Sequence, residues 1–276
     1  MTRRNWSKII AQAVSIAAEL TAEVSIPPTL RQLHYRLVSL PELGYPNEQG
    51  AYKRLSELSA RDRRKGTFPE LTDLTRSVEL ARSWAGPRQA VADLASRYRR
   101  DRTEGQDVLP VLGVEKATLA AQLRSWLGDP YGLPLIVLRG YGSQTYADDV
   151  RRLVESDGRP AVLLYAGDHD PSGDDILRDF TERSDCWAKI VRVAVTAEQV
   201  DTYGLPIAPG KTTDSRAGRF IAEHGELRQV ETEALPPSVL RDLFTDALEP
   251  FWDVSRYEEV IEREAADRSA LRSIRV

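Results

Sequence analysis

The sequence predicts an α/β protein in two parts, an N-terminal helical unit of the winged-helix kind followed by a Rossmann-like parallel-sheet domain. Three observations lead there. Residues 1–105 contain three segments with apolar residues at helical spacing, the last strongly basic. From residue 108 onward, short apolar runs alternate with helical segments, the pattern of parallel strands joined by covering helices. Two of those runs end abruptly in carboxylates.

Residues 6–23 place Trp6, Ile9, Ile10, Ala13, Ile16, Ala17 and Leu20 on one helical face. Pro27 and Pro28 end that unit, and Thr29 is positioned to cap a second helix that stops before Pro41. Gly44, Pro46, Asn47 and Gly50 make a turn. A third helix packs Tyr52, Leu55 and Leu58, exposes Lys53, Arg54, Arg61, Arg63, Arg64 and Lys65, and stops at Gly66. Three short helices with a basic last member suit a helix-turn-helix or winged helix, and Thr67, Phe68 and Pro69 would open the wing. A plain three-helix bundle with a solvated basic face gives the same pattern. Residues 72–105 read as further helix, which sets the expected domains at 1–105 and 106–276, the second carrying a C-terminal helical extension.

In the second part, strands are expected at 108–114, 134–138, 161–167 and 189–195, separated by helices at 116–127, 144–156 and 174–183. A further strand is expected over LRQVETEAL, then helices at 237–249 and 255–272. No run approaches the roughly 20 apolar residues of a membrane helix. Cys186 is the one cysteine, which rules out an intrachain disulfide and a Cys-based zinc site and suits a reducing cytoplasm. The net charge of −4 argues against nucleic acid, but its distribution argues for it. Residues 1–105 carry about 18 basic and 12 acidic groups, the remainder about 20 and 30.

The chemistry concentrates in AVLLYAGDHDPSGDDI. Alternate residues of an extended chain point the same way, so Asp168 and Asp170 present paired carboxylates at the C-terminal end of a strand. Ligands of open parallel sheets bind at that end. Glu115 stands in the same relation to the first strand. Three oxygen donors together suit a hard cation such as magnesium, which polarises phosphates. Competing readings are a calcium loop over Asp168, Asp170, Ser172, Gly173 and Asp179, the Asp-x-Asp pairs of phosphatases and glycosyltransferases, or simple helix capping.

Together these residues resemble the Toprim domain, specifically that of the topoisomerase VI A subunit and the related meiotic double-strand-break proteins. VLGVEKATLAAQL is similar to that family's strand ending in Val-Glu-Lys, and GDHDPSGDDI to its Gly-Asp-x-Asp-Pro-x-Gly segment. RGYGSQTYADDVRRL and VRVAVTAEQVDTYGLP resemble the elements between and after, in the family's order. In the family a winged helix precedes Toprim and carries a tyrosine in a segment like Thr-x-Arg-Asp-x-Tyr-Tyr. Residues 29–35 read TLRQLHY, which places that tyrosine at Tyr35 and the arginine at Arg31, with Gln32 and His34 departing from the pattern.

The resemblance implies a short member of the family that cleaves double-stranded DNA with Mg2+ held by Glu115, Asp168 and Asp170. Tyr35 would be the nucleophile and would end joined to a 5′ phosphate. It also implies a homodimer in which one subunit's tyrosine meets the other's metal, and a separate ATPase subunit. The setting expected is the cytoplasm of a prokaryote or phage host. No Walker-type phosphate loop is present, so any ATP dependence lies in another chain. Arg31, one turn before Tyr35, is placed to stabilise a phenolate, and His34 is a weaker candidate base. Arg54, Arg61, Arg64 and Lys116 are the expected phosphate contacts, with Lys211, Asp214, Ser215 and Arg216 a further polar cluster. If Tyr35 is only a core residue, the metal would activate water and the protein would be a hydrolytic Toprim endonuclease of plasmid or phage defence. If the carboxylates only hold a structural ion, it binds DNA without turnover.

Overall fold

The computed structural model describes residues 5–73, 81–209 and 214–274. Helix α1 (Trp6–Val24) packs Ile9, Ala13, Ile16, Ala17 and Leu20 against α2 (Leu30–Val38) and α3 (Gln49–Arg64). Helix α2 starts at the expected cap. Gln32 N–H donates to Thr29 Oγ1 at 3.2 Å, and the Thr29 N–H donates to Gln32 Oε1 at 2.9 Å, a reciprocal capping box. Gln32 therefore has a structural role. Its amide also donates to Gln122 Oε1 at 3.0 Å, tying α2 to the second part of the chain.

Thr67 to Pro69, expected to open a wing, run without strand structure up to residue 73, and residues 74–80 lie outside the described residues. Phe68 is buried and joins the N-terminal core. The helix expected over 72–105 is confined among the described residues to α4 (Pro87–Arg97), with Pro87 in its first turn. Past Arg97 the chain leaves the helix because Arg100 and Arg102 are drawn to Asp267 (2.6 Å) and the buried Glu264 (2.6 Å) on the C-terminal helix.

Four strands form one parallel sheet: β1 (Leu109–Val114), β2 (Leu135–Val137), β3 (Ala161–Ala166) and β4 (Trp187–Ala194), in the order β2-β1-β3-β4. Every residue of β1 and β3 is buried, which explains their unbroken apolar sequence. Each large apolar side chain so buried contributes about 1.5–3 kcal/mol. Alternation splits them between two layers. Leu112, Val114, Val162 and Leu164 meet α5 (Ala117–Leu123) and α11 (Pro237–Leu248). Val111, Leu163 and Tyr165 meet α7 (Gln144–Asp157) and α8 (Pro171–Ser184). Helix α5 continues through a π turn at Arg124–Gly128 into the short α6 (Asp129–Tyr131).

Beyond β4 come α9 (Ala197–Thr202), β5 (Ala208–Pro209), α10 (Ala217–His224) and β6 (Arg228–Gln229). The strand expected over LRQVETEAL reduces to β6, paired antiparallel with β5. The chain then makes an antiparallel bridge from Val230 to His169 and turns into a 3-10 helix over Thr232–Ala234, with no further strand pairing there among the described residues. Helix α12 (Val254–Ser273) closes back on α4. No described helix is long and apolar enough to cross a membrane.

Candidate functional site

The switch in sheet order lies between β1 and β3, where successive crossovers leave in opposite directions and open a crevice at the strand ends. Val114 is in register with Ala166, so Glu115 and the 167–170 segment emerge side by side. The Asp168 N–H donates to Glu115 Oε2 at 3.0 Å. Burial, then Asp168, push the Glu115 carboxyl up to about 7, with Asp170 adding to the shift. Asp170 caps α8 through the Gly173 N–H at 2.7 Å, and burial raises its pKa as well. Residues 171–184 being helical, the calcium-loop spacing has no loop to occupy.

The three expected carboxylates are therefore neighbours, although they do not converge as tightly as a direct three-ligand cage. Among the described residues, the metal-capable set closing to within 4.8 Å is Asp174 on α8 with Glu223 and His224 on α10. Arg192 already neutralises Asp174 at 3.3 Å and Arg219 neutralises Glu223 at 2.8 Å, which disfavours a cation there. The carboxylate donors around Glu115 are hard oxygens of the kind magnesium takes. Lys116 Nζ, 2.7 Å from Asp168 Oδ2, is the cation that balances them here and would have to turn toward Glu231 for an ion to enter.

Gly173 is required by close approach. A Cβ there would lie 2.3 Å from the Asp168 carbonyl oxygen and 3.2 Å from Glu115 Oε2. Gly173→Ala is expected to destabilise the protein by about 1–3 kcal/mol, by forcing α8 away from the strand end. Thermal melts check this, and an unchanged melting temperature would contradict the packing described.

Residues that sequence reasoning did not single out complete the site. The His169–Val230 bridge brings residues 231–233 across the strand ends. The Thr232 N–H and hydroxyl donate to Asp168 Oδ1 at 2.8 and 3.0 Å. Glu231 and Glu233 flank that anchor. Lys116 Nζ lies 2.7 Å from Asp168 Oδ2, contacts Glu231 and is 3.8 Å from Glu233. Burial opposes the Lys116 charge, but these carboxylates outweigh it and hold the ammonium above its usual range. The signal in the sequence was the Glu-x-Glu spacing inside VETEA.

The N-terminal part reaches the same place. Arg31 lies 3.0 Å from Glu231 and 3.3 Å from Glu233. The Tyr35 hydroxyl is beside Arg31 and Glu231 of its own chain, two ion-pair steps from Asp168. Tyr35 is 7% exposed, and burial with Glu231 pushes its phenol up to about 12, against the opposing Arg31. His34 points elsewhere, with Nδ1 2.8 Å from the Tyr45 hydroxyl and Nε2 3.2 Å from Asn47, and burial lowers its pKa. It is not placed as a base for Tyr35.

Arg31, Glu115, Lys116, Arg139 and Glu233 line one cavity of about 300 Å3. Arg139 follows β2 in the left-handed region at φ 48°, fixed by its N–H donating to the Glu115 carbonyl at 2.8 Å. That conformation costs a non-glycine residue about 1–2 kcal/mol and is common at functional sites.

The expected phosphate contacts Arg54, Arg61 and Arg64 are exposed on α3, Arg54 paired with Glu57 at 2.9 Å and Arg61 with Asp62 at 2.8 Å. Lys211 lies outside the described residues. Arg216 pairs with Asp214 at 2.8 Å and donates to the Tyr141 hydroxyl at 2.9 Å, away from the carboxylates. No protein-family model matches the chain, and no curated protein matches it.

Proposed function

We propose that the protein is a magnesium-dependent DNA-cleaving enzyme, related to the topoisomerase VI A subunit, with a winged-helix reader preceding a Toprim domain. The observation that carries the reading is the meeting of Glu115, Asp168 and Asp170 at the sheet's switch point with Arg31 and Tyr35 brought alongside. Glu115, Asp168 and Asp170 would hold the magnesium ion, which when bound polarises a phosphate oxygen and stabilises charge on the departing one. Arg31 and Lys116 supply positive charge for the scissile phosphate, and the exposed arginines of α3 supply the wider phosphate contacts.

In the transesterase reading, the Tyr35 oxygen bonds to phosphorus, the bond from phosphorus to the 3′ oxygen breaks, and that oxygen regains the proton the phenol loses. Arg31 favours the phenolate. The buried, high-pKa phenol gives specific support to a second reading, in which water takes the place of Tyr35 and cleavage is hydrolytic. A dimer and an ATPase partner belong to the family resemblance and are part of the proposal.

Supercoiled plasmid incubated with the protein and magnesium tests both. The transesterase leaves protein on 5′ ends, and Tyr35→Phe removes both cleavage and the linked ends. Undiminished cleavage by Tyr35→Phe, with free ends, selects hydrolysis. If no divalent ion supports nicking or cutting, the hydrolytic reading is wrong, and the transesterase reading falls too unless cleavage appears when the ATPase partner is added; otherwise a DNA-binding protein without turnover remains.

A further inference from the structure

We propose that Arg31, Lys116 and Arg139 form a nucleic-acid phosphodiester pocket completed within one chain, in which Glu231 and Glu233 hold the place the phosphate takes. The inference rests on the DNA-binding part of the reading above and adds to it the residues that receive the phosphate and those that guard it.

Three observations converge on the cavity between α2 and the ends of β1 and β2. The first is charge. Two of its cations, Arg31 and Lys116, are engaged by the carboxylates of the 231–233 turn. Carboxylates and phosphates are both oxyanions and compete for the same guanidinium and ammonium donors.

The second is unmet hydrogen-bonding capacity. The Glu233 side chain is fully buried, yet neither of its oxygens accepts a well-formed hydrogen bond, and its charge partners Arg31 and Lys116 stand off at 3.3 and 3.8 Å. A buried carboxylate so poorly satisfied is a costly occupant. The Thr118 hydroxyl, a neighbour of Glu233 on the cavity wall, is buried too and makes no well-formed hydrogen bond of its own.

The third is Arg139. It is exposed at the rim, forms no ion pair among the described residues, and is kept in a left-handed backbone conformation that aims the chain at Glu115. Arg139 is thus the cation the pocket leaves ready for an incoming phosphate. On entry the phosphate takes the exposed Arg139 first, then replaces Glu231 and Glu233 on Lys116 and Arg31, which opens the buried Thr118 hydroxyl to it. Tyr35, beside Arg31 and Glu231, is released from its carboxylate neighbour by the same exchange.

Binding of a short fluorescein-labelled DNA duplex, followed by anisotropy in EDTA so that no turnover occurs, tests this. Glu231→Gln keeps the side chain's shape and removes the competing charge, and is expected to tighten binding about tenfold. Arg139→Gln is expected to weaken binding about tenfold and to lower the slope of log affinity against log salt by about one. Arg139 is exposed, so its variant reports on the pocket even if Glu231→Gln melts early. Unchanged affinity and salt slope in Arg139→Gln would overturn the proposal, as would weaker binding by a Glu231→Gln variant of normal melting temperature. If the wild type binds DNA and responds as described but never cleaves it, the pocket stands and the enzyme reading falls. If it cleaves DNA with Arg139→Gln indistinguishable, the enzyme reading stands and the pocket falls. Absence of DNA binding by the wild type sinks both.

Discussion

Asp168→Asn is expected to lower magnesium-dependent plasmid cleavage by at least about a thousandfold while leaving the protein folded, a loss on the order of 4 kcal/mol in the barrier. Asp168 is 6% exposed and uses its two oxygens differently. Oδ1 accepts from the Thr232 N–H and hydroxyl, anchoring the 231–233 turn, while Oδ2 faces Lys116. Asparagine retains an oxygen for the Thr232 donors, so the turn keeps its anchor. It loses the negative charge that a divalent ion needs. Lys116 is not stranded, because Glu231 remains its partner. Alanine would confound the two roles, leaving the Thr232 N–H buried without an acceptor. Near-native melting with lost cleavage is the expected combination. Retained cleavage by Asp168→Asn would remove Asp168 from the metal site.

The parts legible in the sequence are those set by local pattern. β1 and β3 declare themselves because burial on both faces leaves no polar position, and a carboxylate following such a run has to stand at the strand's end. The sequence therefore puts Glu115, Asp168 and Asp170 at strand ends, and the pairing of β1 with β3 makes them neighbours. Thr29 announces the start of α2 for an equally local reason, since a cap acts within three residues. What cannot be read is the company these residues keep. Thr232 meets Asp168 across 64 residues of chain, and Arg31 meets Glu231 across 200. Neither pairing leaves a periodic trace. VETEA alternates like a strand, but among the described residues its pairing stops at the Val230 bridge, and the 3-10 turn that follows makes it an anchor carrying two carboxylates. Arg139 goes unmarked because nothing local signals a positive φ at a residue other than glycine.

Glu115→Gln is expected to stabilise the protein at pH 8 and to change little near pH 4.5. Below about pH 4.5 the carboxyl is neutral in the folded and the unfolded chain alike. Between that value and about 7 the unfolded chain loses the proton while the folded chain keeps it, so the native state binds more protons and stability falls as pH rises. Above about 7 the loss is complete. Each unit of displacement is about 1.4 kcal/mol. Sharing of charge with Asp168 and Asp170 reduces the total, so a penalty on the order of 2 kcal/mol at pH 8 is the reasonable scale. Glutamine removes it and still offers an oxygen to the Asp168 N–H. For a chain of 276 residues the gain corresponds to a melting temperature higher by roughly 3–4 °C. Magnesium should raise the wild-type melting temperature at pH 8, less so as the pH drops below 7 and the proton competes, and should do little for the variant. An equal or lower melting temperature for Glu115→Gln at pH 8 would show that the carboxylate is already compensated by the fold. If the gain is found, Glu115 is maintained at a cost to the sheet beneath it, and such a cost is explained by what the carboxylate binds.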